Sequence, residues 1–126
     1  MQDSGITVVL GASDKVERYS NKAMEMLSQH GIDFEGIGNK SFDFKGKKIV
    51  RDYNEAKWKG KRIDTITLYL SAKNQKAWRD WIILSKPRRV IFNPGTEDSQ
   101  FEHELESYGI EALNACTLVM LSTNQY

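Results

Sequence analysis

The fold is indicated first by a short apolar run that ends at a glycine, Ile6-Thr7-Val8-Val9-Leu10-Gly11. Its β-branched, uninterrupted apolar character is typical of a strand buried on both faces of a parallel sheet. After a polar stretch, the sequence predicts a helix over residues 20–30 with Ser20 as its N-cap. Gly31 then ends the helix in the left-handed conformation, and residues 33–37 form a second strand near an edge. The chain therefore opens with a strand, a helix and a parallel strand.

The same alternation continues to the end of the chain. Residues 39–61 are polar and rich in lysine, so we expect an irregular excursion with a brief strand at most over residues 48–50. Further predicted elements are strands over residues 63–70, 90–92 and 110–113, a helix over 73–85 that Pro87 ends, and a helix carrying Phe101, Leu105 and Tyr108 that Gly109 ends. This order predicts an α/β fold, a three-layer α/β/α Rossmann-like sandwich with a doubly wound parallel sheet of about five strands. Ligands of such sheets bind at the carboxyl ends of the first strand and its neighbour across the switch point.

Length and composition exclude several classes of protein. The chain has 126 residues, 40% of them hydrophobic and 28% charged, so we expect one globular domain over residues 1–126. No apolar run is long enough for a membrane helix, and the first residues do not resemble a signal peptide, so we expect a cytoplasmic protein. A lone cysteine, Cys116, and two histidines give no basis for a disulfide or a metal site.

The net charge of +1 hides an asymmetry along the chain. Residues 40–62 hold nine of the eighteen lysines and arginines against three acids, whereas residues 95–126 hold six acids and no lysine or arginine. One side of the molecule should therefore be basic. The lysine-rich segment is either an ordinary solvated surface or a patch that binds the phosphates of a small ligand. A net charge near zero does not support a nucleic-acid-binding protein.

The loop after the first strand is the first candidate site, since in doubly wound folds it presents backbone N–H groups and a helix N-terminus to phosphates. It lacks the three-glycine dinucleotide fingerprint, because no glycine follows Gly11 until Gly31. Instead it places four donors in one short segment: Ser13, Lys15, Arg18 and Ser20. Either these residues bind an anion, or Ser20 merely caps the helix and the two cations lie on the surface.

This stretch resembles a known family. The Ser-x-Lys-x-x-Arg-x-Ser pattern of residues 13–20, followed by a helix and the His30-Gly31 pair, is similar to the opening of the small CoA-binding domain proteins, stand-alone relatives of the CoA-binding domain of succinyl-CoA synthetase. The resemblance extends through residues 63–66, 90–95 and 108–116, and so covers nearly the whole chain. It implies a Rossmann-like fold with CoA lying across the carboxyl ends of the strands, phosphates near the first loop and adenine near the end of the second strand.

The resemblance also implies which residues bind CoA or an acyl-CoA. These predicted cofactor-binding residues lie in the loops after the strands: Gly11, Ala12, Ser13, Lys15, Arg18, Ser20, Gly38, Asn39, Lys40, Ser71, Asn93, Pro94 and Gly95. Lys40 follows the second strand, where an NAD-binding domain needs an acid and where a cation suits a ribose phosphate. The position of Glu35 leaves NAD open as an alternative, although that residue lies inside the predicted strand.

The sequence offers little for catalysis. Ser13 has no histidine near it in sequence, and Cys116 follows a buried strand, where a packed thiol is the commoner role. Among the aromatic residues, Trp78 and Trp81 suggest helix core or interface, and Trp58, surrounded by lysines, suggests a stacking surface or a flap. We expect a non-catalytic CoA-binding protein whose ligand is a small molecule rather than a nucleic acid or a membrane, with the protein partner unknown. The alternatives are a nucleotide-sensing or protein-interaction module that has lost CoA binding or binds NAD(P), and, third, an enzyme.

Overall fold

A five-stranded parallel sheet forms the centre of the structure, a computed structural model in which residues 5–126 are described. The strands of the chain are β1 (Ile6–Ala12), β2 (Phe34–Gly38), β3 (Phe42–Phe44), β4 (Lys47–Ile49), β5 (Ile63–Leu68), β6 (Arg89–Phe92) and β7 (Glu111–Asn114). The main sheet has the order β2-β1-β5-β6-β7, while β3 and β4 form a separate antiparallel hairpin. This is the predicted doubly wound α/β arrangement, with β2 at one edge as expected.

Helices cover both faces of the sheet and complete three layers. They are α1 (Tyr19–Gln29), α2 (Ala72–Gln75), α3 (Arg79–Ser85), α4 (Ser99–Ser107) and α5 (Thr117–Ser122), with single 3-10 turns at Tyr53–Glu55 and Lys76–Trp78. One core lies between the sheet and α1 and α5, and contains Met24, Leu27 and Leu121. The other lies under α3 and α4, and contains Ile82 and Phe101. In the described part of the chain, no helix is long and apolar enough to cross a membrane.

Two local predictions about helices are wrong, and one helix was not predicted. Helix α1 begins at Tyr19 after an extended Arg18, and Ser20 is a buried residue of its first turn rather than its N-cap. Tyr108 lies beyond α4 with 62% of its surface exposed, so only Phe101 and Leu105 of the predicted stripe are buried. Helix α5 was not predicted, because a six-residue apolar segment is too short to show a helical period.

The excursion between β2 and β5 is more ordered than its composition suggests. Val50 pairs with Ile37 through Gly38 N–H to Val50 O at 2.9 Å and Val50 N–H to Gly36 O at 3.3 Å, which covers the edge of β2. Trp58 is 5% exposed and packs edge-on against Tyr53. The expectation that Trp58 is a stacking surface or flap is therefore wrong, since its indole belongs to the core while the neighbouring lysines stay in solvent.

Candidate functional site

The site is built where the chain leaves β1 and β5 toward opposite faces of the sheet. β1 continues into α1 on one face, and β5 continues into α2 and α3 on the other. Because the two connections diverge, a crevice opens between the carboxyl ends of these neighbouring strands. Gly11 and Leu70 lie at its centre and line two adjoining cavities, one on each side.

The first of these, which we call the basic cavity, has a volume of about 780 Å³. Its cations are Lys15, Arg18 and Lys40, and its one described acid is Asp14. The complete lining comes from the loops after β1, β2, β5 and β6 and from the start of α1: Gly11, Ala12, Ser13, Asp14, Lys15, Arg18, Tyr19, Ser20, Asn39, Lys40, Tyr69, Leu70, Ser71, Asn74, Trp78, Pro94, Gly95 and Thr96. This cavity presents an excess of positive charge and several hydroxyl and backbone donors, which suits an anion.

Hydrogen bonds order the loop that carries two of these cations. The Asn21 side-chain amide donates to Ser13 O at 2.9 Å, and Lys15 N–H donates to Ser13 Oγ at 3.1 Å. Asn21 is itself buried in α1, so it holds the loop against the helix. Lys15 and Arg18 are exposed and line the basic cavity, so both are available to a ligand.

An ion pair joins the loop after β1 to the loop after β2. Lys40 Nζ lies 3.1 Å from Asp14 Oδ2. The Lys40 side chain is 58% exposed and the Asp14 side chain is 37% exposed. Among residues 5–126, neither Lys15 nor Arg18 takes part in an ion pair. The basic cavity therefore has two unpaired cations and one that already has a counter-ion.

The second cavity, which we call the aromatic cavity, has a volume of about 680 Å³. Tyr53, Trp78 and Trp81 form its aromatic wall, with ring centroids 5.2 Å apart for Tyr53 and Trp81 and 5.5 Å apart for Trp78 and Trp81. The complete lining is Leu10, Gly11, Ile37, Gly38, Asn39, Arg51, Asp52, Tyr53, Asn54, Leu70, Ala77, Trp78 and Trp81. Gly11, Asn39, Leu70 and Trp78 belong to both cavities, so one elongated ligand can occupy them together.

The structure brings together all but one of the residues predicted from the sequence. Those lining the basic cavity are Gly11, Ala12, Ser13, Lys15, Arg18, Ser20, Asn39, Lys40, Ser71, Pro94 and Gly95, and Gly38 lines the aromatic cavity. The wall formed by Arg51 and Tyr53 was not predicted, since no pattern in the polar excursion indicates that it folds back over the crevice. Trp78 and Trp81, predicted to be core or interface, pack on the core and also line the cavity.

Asn93 is the exception, and its prediction as a binding residue is wrong. Its side chain is 2% exposed and lines neither cavity. The amide donates to Thr67 Oγ1 at 2.7 Å and Leu68 O at 2.8 Å, and its oxygen accepts from Thr117 N–H at 2.8 Å. Asn93 therefore ties β5, β6 and the start of α5 together beneath the site, and its amide is fully used within the protein.

Two titratable groups near the site have shifted pKa values. Burial raises the pKa of Tyr69 in the basic cavity to about 12, against opposing hydrogen bonds from Thr67 and Thr117. Its hydroxyl is therefore protonated at neutral pH. Burial also raises the pKa of Glu35, although Lys47 at 3.7 Å opposes the shift. Glu35 lies within β2 and lines neither cavity, and 17% of its side chain is exposed.

Comparison with known proteins gives a family for this sequence. The sequence model of a family described as "CoA binding domain" matches residues 6–122. No curated protein matches the chain at a significant level.

Solved structures share the fold over nearly the whole chain. An uncharacterized protein is 38% identical and superposes with a TM-score of 0.86, covering 97% of this chain and 98% of its own. A hypothetical protein from Pyrococcus horikoshii OT3 is 21% identical with a TM-score of 0.81, covering 93% of this chain and 81% of its own.

A larger enzyme contains the same fold as one part. The dinucleotide-forming acetyl-coenzyme A synthetase 1 of Ca. Korarchaeum cryptofilum, in complex with phosphate and ADP, is 14% identical with a TM-score of 0.67. The match covers 86% of this chain but 25% of that enzyme. At this identity the likeness concerns the fold alone.

Proposed function

Since the chain belongs to the CoA-binding domain family, we propose that it binds CoA or an acyl-CoA across the basic and aromatic cavities and does so without catalysis. The observation that carries this proposal is the convergence of Lys15, Arg18 and Lys40 on one cavity at the switch point of the sheet. CoA is a polyanion with a diphosphate and a ribose phosphate, so it matches a cavity with several cations and backbone donors.

The two cavities divide the ligand between them. The phosphates lie in the basic cavity near the loop after β1, and the adenine lies against the aromatic wall beside Gly38 and Asn39 at the end of β2. Base rings stack favourably on tryptophan and tyrosine, and Trp78 lines both cavities at the junction. Volumes of about 680 and 780 Å³ fall within the usual size of small-molecule sites, about 300–1,000 Å³.

NAD fits the lining less well than CoA. An NAD site needs an acid at the tip of the second strand for the ribose hydroxyls, and Lys40 is the charged residue beside that tip. Glu35, the candidate acid, is engaged by Lys47 within the strand. This arrangement favours a ligand with a phosphate on the ribose.

The residues lining the cavities also favour a binding role over an enzymatic one. The described lining contains no histidine or cysteine, and the raised pKa of Tyr69 makes it a poor base at neutral pH. His30, directly after α1, and His103, on α4, are both exposed and line neither cavity. We therefore propose a ligand-responsive module rather than a catalyst.

The test is mass spectrometry of the native protein for a copurified nucleotide, followed by calorimetry with CoA. A variant that replaces the cavity cations, Lys15, Arg18 and Lys40, by alanine should lose CoA binding. The matched control replaces three exposed lysines outside both cavities, Lys45, Lys48 and Lys57, and should bind as the wild type does. Equal loss in both variants would indicate general electrostatic attraction, and no binding by the wild type would reject the proposed function.

A further inference from the structure

The basic cavity contains an acid whose position opposes anion binding. Asp14 is the one acidic residue in its described lining, and its carboxylate is paired with Lys40 at 3.1 Å. A carboxylate in the wall of a phosphate-binding cavity repels the ligand. Asp14 cannot attract a phosphate itself, so it can influence the ligand either by direct repulsion or through its partner Lys40.

The pair is weak enough to be exchanged. Both side chains are substantially exposed, so water screens their attraction and the side chains retain freedom to separate. A phosphate monoester carries about −1.5 to −2 charges at neutral pH and offers several acceptor oxygens, more than a carboxylate offers. It can therefore compete with Asp14 for the Lys40 ammonium group.

We propose that Asp14 occupies, in the free protein, the place on Lys40 that the ribose phosphate of the ligand takes on binding. Binding then exchanges one ion pair for another, and Asp14 sets how strongly affinity depends on the ribose phosphate. This inference rests on the proposed function and adds a specificity-determining residue to it. The exchange also joins the two loops differently in the two states, because Asp14 follows β1 and Lys40 follows β2.

The test is calorimetry of Asp14→Asn with CoA and with dephospho-CoA, which lacks the ribose phosphate. The isosteric change removes the charge and frees Lys40, so CoA should bind about two- to fivefold more tightly, a range set by the weakness of exposed ion pairs. The affinity for dephospho-CoA should change by about twofold or less, since this ligand has no ribose phosphate to replace Asp14 on Lys40. The matched control is Glu25→Gln, which breaks the pair with Lys45, a pair of similar exposure outside both cavities, and should leave both affinities unchanged.

Repeating the Asp14→Asn measurement in a protein that lacks Lys40 separates the exchange of ion pairs on Lys40 from simple repulsion of the ligand by Asp14. If Asp14 acts through Lys40, the gain from Asp14→Asn should shrink in a Lys40→Met protein. An equal gain in both backgrounds, or an unchanged or weaker CoA affinity in Asp14→Asn alone, would overturn the exchange while leaving CoA binding intact. Wild-type protein that binds no CoA would reject the proposed function and this inference with it.

Discussion

Gly11 lies directly against the backbone of Tyr69, where β1 and β5 leave the sheet. A Cβ atom built on Gly11 would be 2.9 Å from the Tyr69 carbonyl carbon and 3.0 Å from its oxygen. The glycine also has a φ of +101°, which L side chains rarely adopt. The two chain segments can therefore approach this closely because residue 11 has no side chain, and a side chain there would meet the protein itself.

We expect Gly11→Val to lower the free energy of unfolding by about 2–5 kcal/mol, from overpacking against Tyr69 and from the strained φ. Considered only as the exit from the first strand, Gly11 predicts a larger effect on ligand binding than on folding, because a side chain there would enter ligand space. The contact with Tyr69 reverses that expectation. Urea unfolding of the variant is the measurement.

The matched control is Gly31→Ala, since Gly31 has a φ of +68° but no atom within 4 Å of a built Cβ. This substitution should lower the free energy of unfolding by about 1–2 kcal/mol, the cost of the backbone strain alone. Equal stability losses in the two variants would show that the contact with Tyr69 contributes nothing.

A second prediction concerns Arg18, which is exposed in the basic cavity and makes no ion pair within the described residues. Arg18→Ala should weaken CoA binding by about 1–3 kcal/mol, the range for a charge-assisted hydrogen bond to phosphate. The melting temperature should change little, because Arg18 is exposed. Lys22→Ala removes a nearby cation, in the first turns of α1 and outside the cavity, and serves as the control. Calorimetry that gives wild-type affinity for Arg18→Ala would remove Arg18 from the site.

The sequence predicted the scaffold well because the scaffold depends on local patterns. The apolar run of β1, the glycine stop at Gly31 and the alternation of strands and helices are each contained in a short segment. The loop cations Lys15 and Arg18 were predicted for the same reason, since the carboxyl ends of parallel strands meet at one edge.

The aromatic cavity and the role of Asn93 depend instead on contacts distant in sequence. Tyr53 reaches Trp81 only after the excursion folds back over the sheet, and no local period indicates that path. Asn93 lies in a turn that looks like a binding loop, yet its amide is used by Thr67 and Thr117, which are far from it in sequence. Both features depend on which side chains become buried, and this is known only once the core has assembled.

A third prediction tests whether the aromatic cavity holds adenine. Trp78→Ala should weaken CoA binding by about 1–3 kcal/mol, the usual cost of losing a base–aromatic stack. Phosphopantetheine, which lacks adenine, should bind the variant and the wild type equally. Unchanged CoA affinity would place adenine elsewhere, and a parallel loss for both ligands, measured well below the melting temperature of the variant, would show that Trp78 does not act by stacking on adenine.

A fourth prediction uses Glu35, whose pKa is raised by burial. An acid with a raised pKa in the folded state costs stability when it ionises, so this cost is absent below its ordinary value of 4.5 and complete above the raised value. Glu35→Gln should therefore be more stable than the wild type at pH 7, and the difference should disappear as the pH falls below 4.5. Urea unfolding at several pH values measures it. A stability gain that persists at low pH would indicate a packing effect rather than titration.

The last prediction separates CoA from NAD. CoA carries a phosphate on its adenosine ribose that NAD lacks, and Lys40 is the cation beside the end of β2, where that ribose should lie. The wild type should therefore be stabilised in thermal-shift measurements in the order CoA, dephospho-CoA, then NAD, with NADP above NAD because of its own ribose phosphate.

Lys40→Glu replaces attraction by repulsion and should reduce the preference for CoA over dephospho-CoA by about 1 kcal/mol or less, because the site is exposed and screened. The control Lys45→Glu makes the same charge change outside both cavities and should keep the wild-type order. Stronger stabilisation by NAD than by CoA would reject the CoA assignment, and no shift with any of the four nucleotides would favour a protein-interaction module.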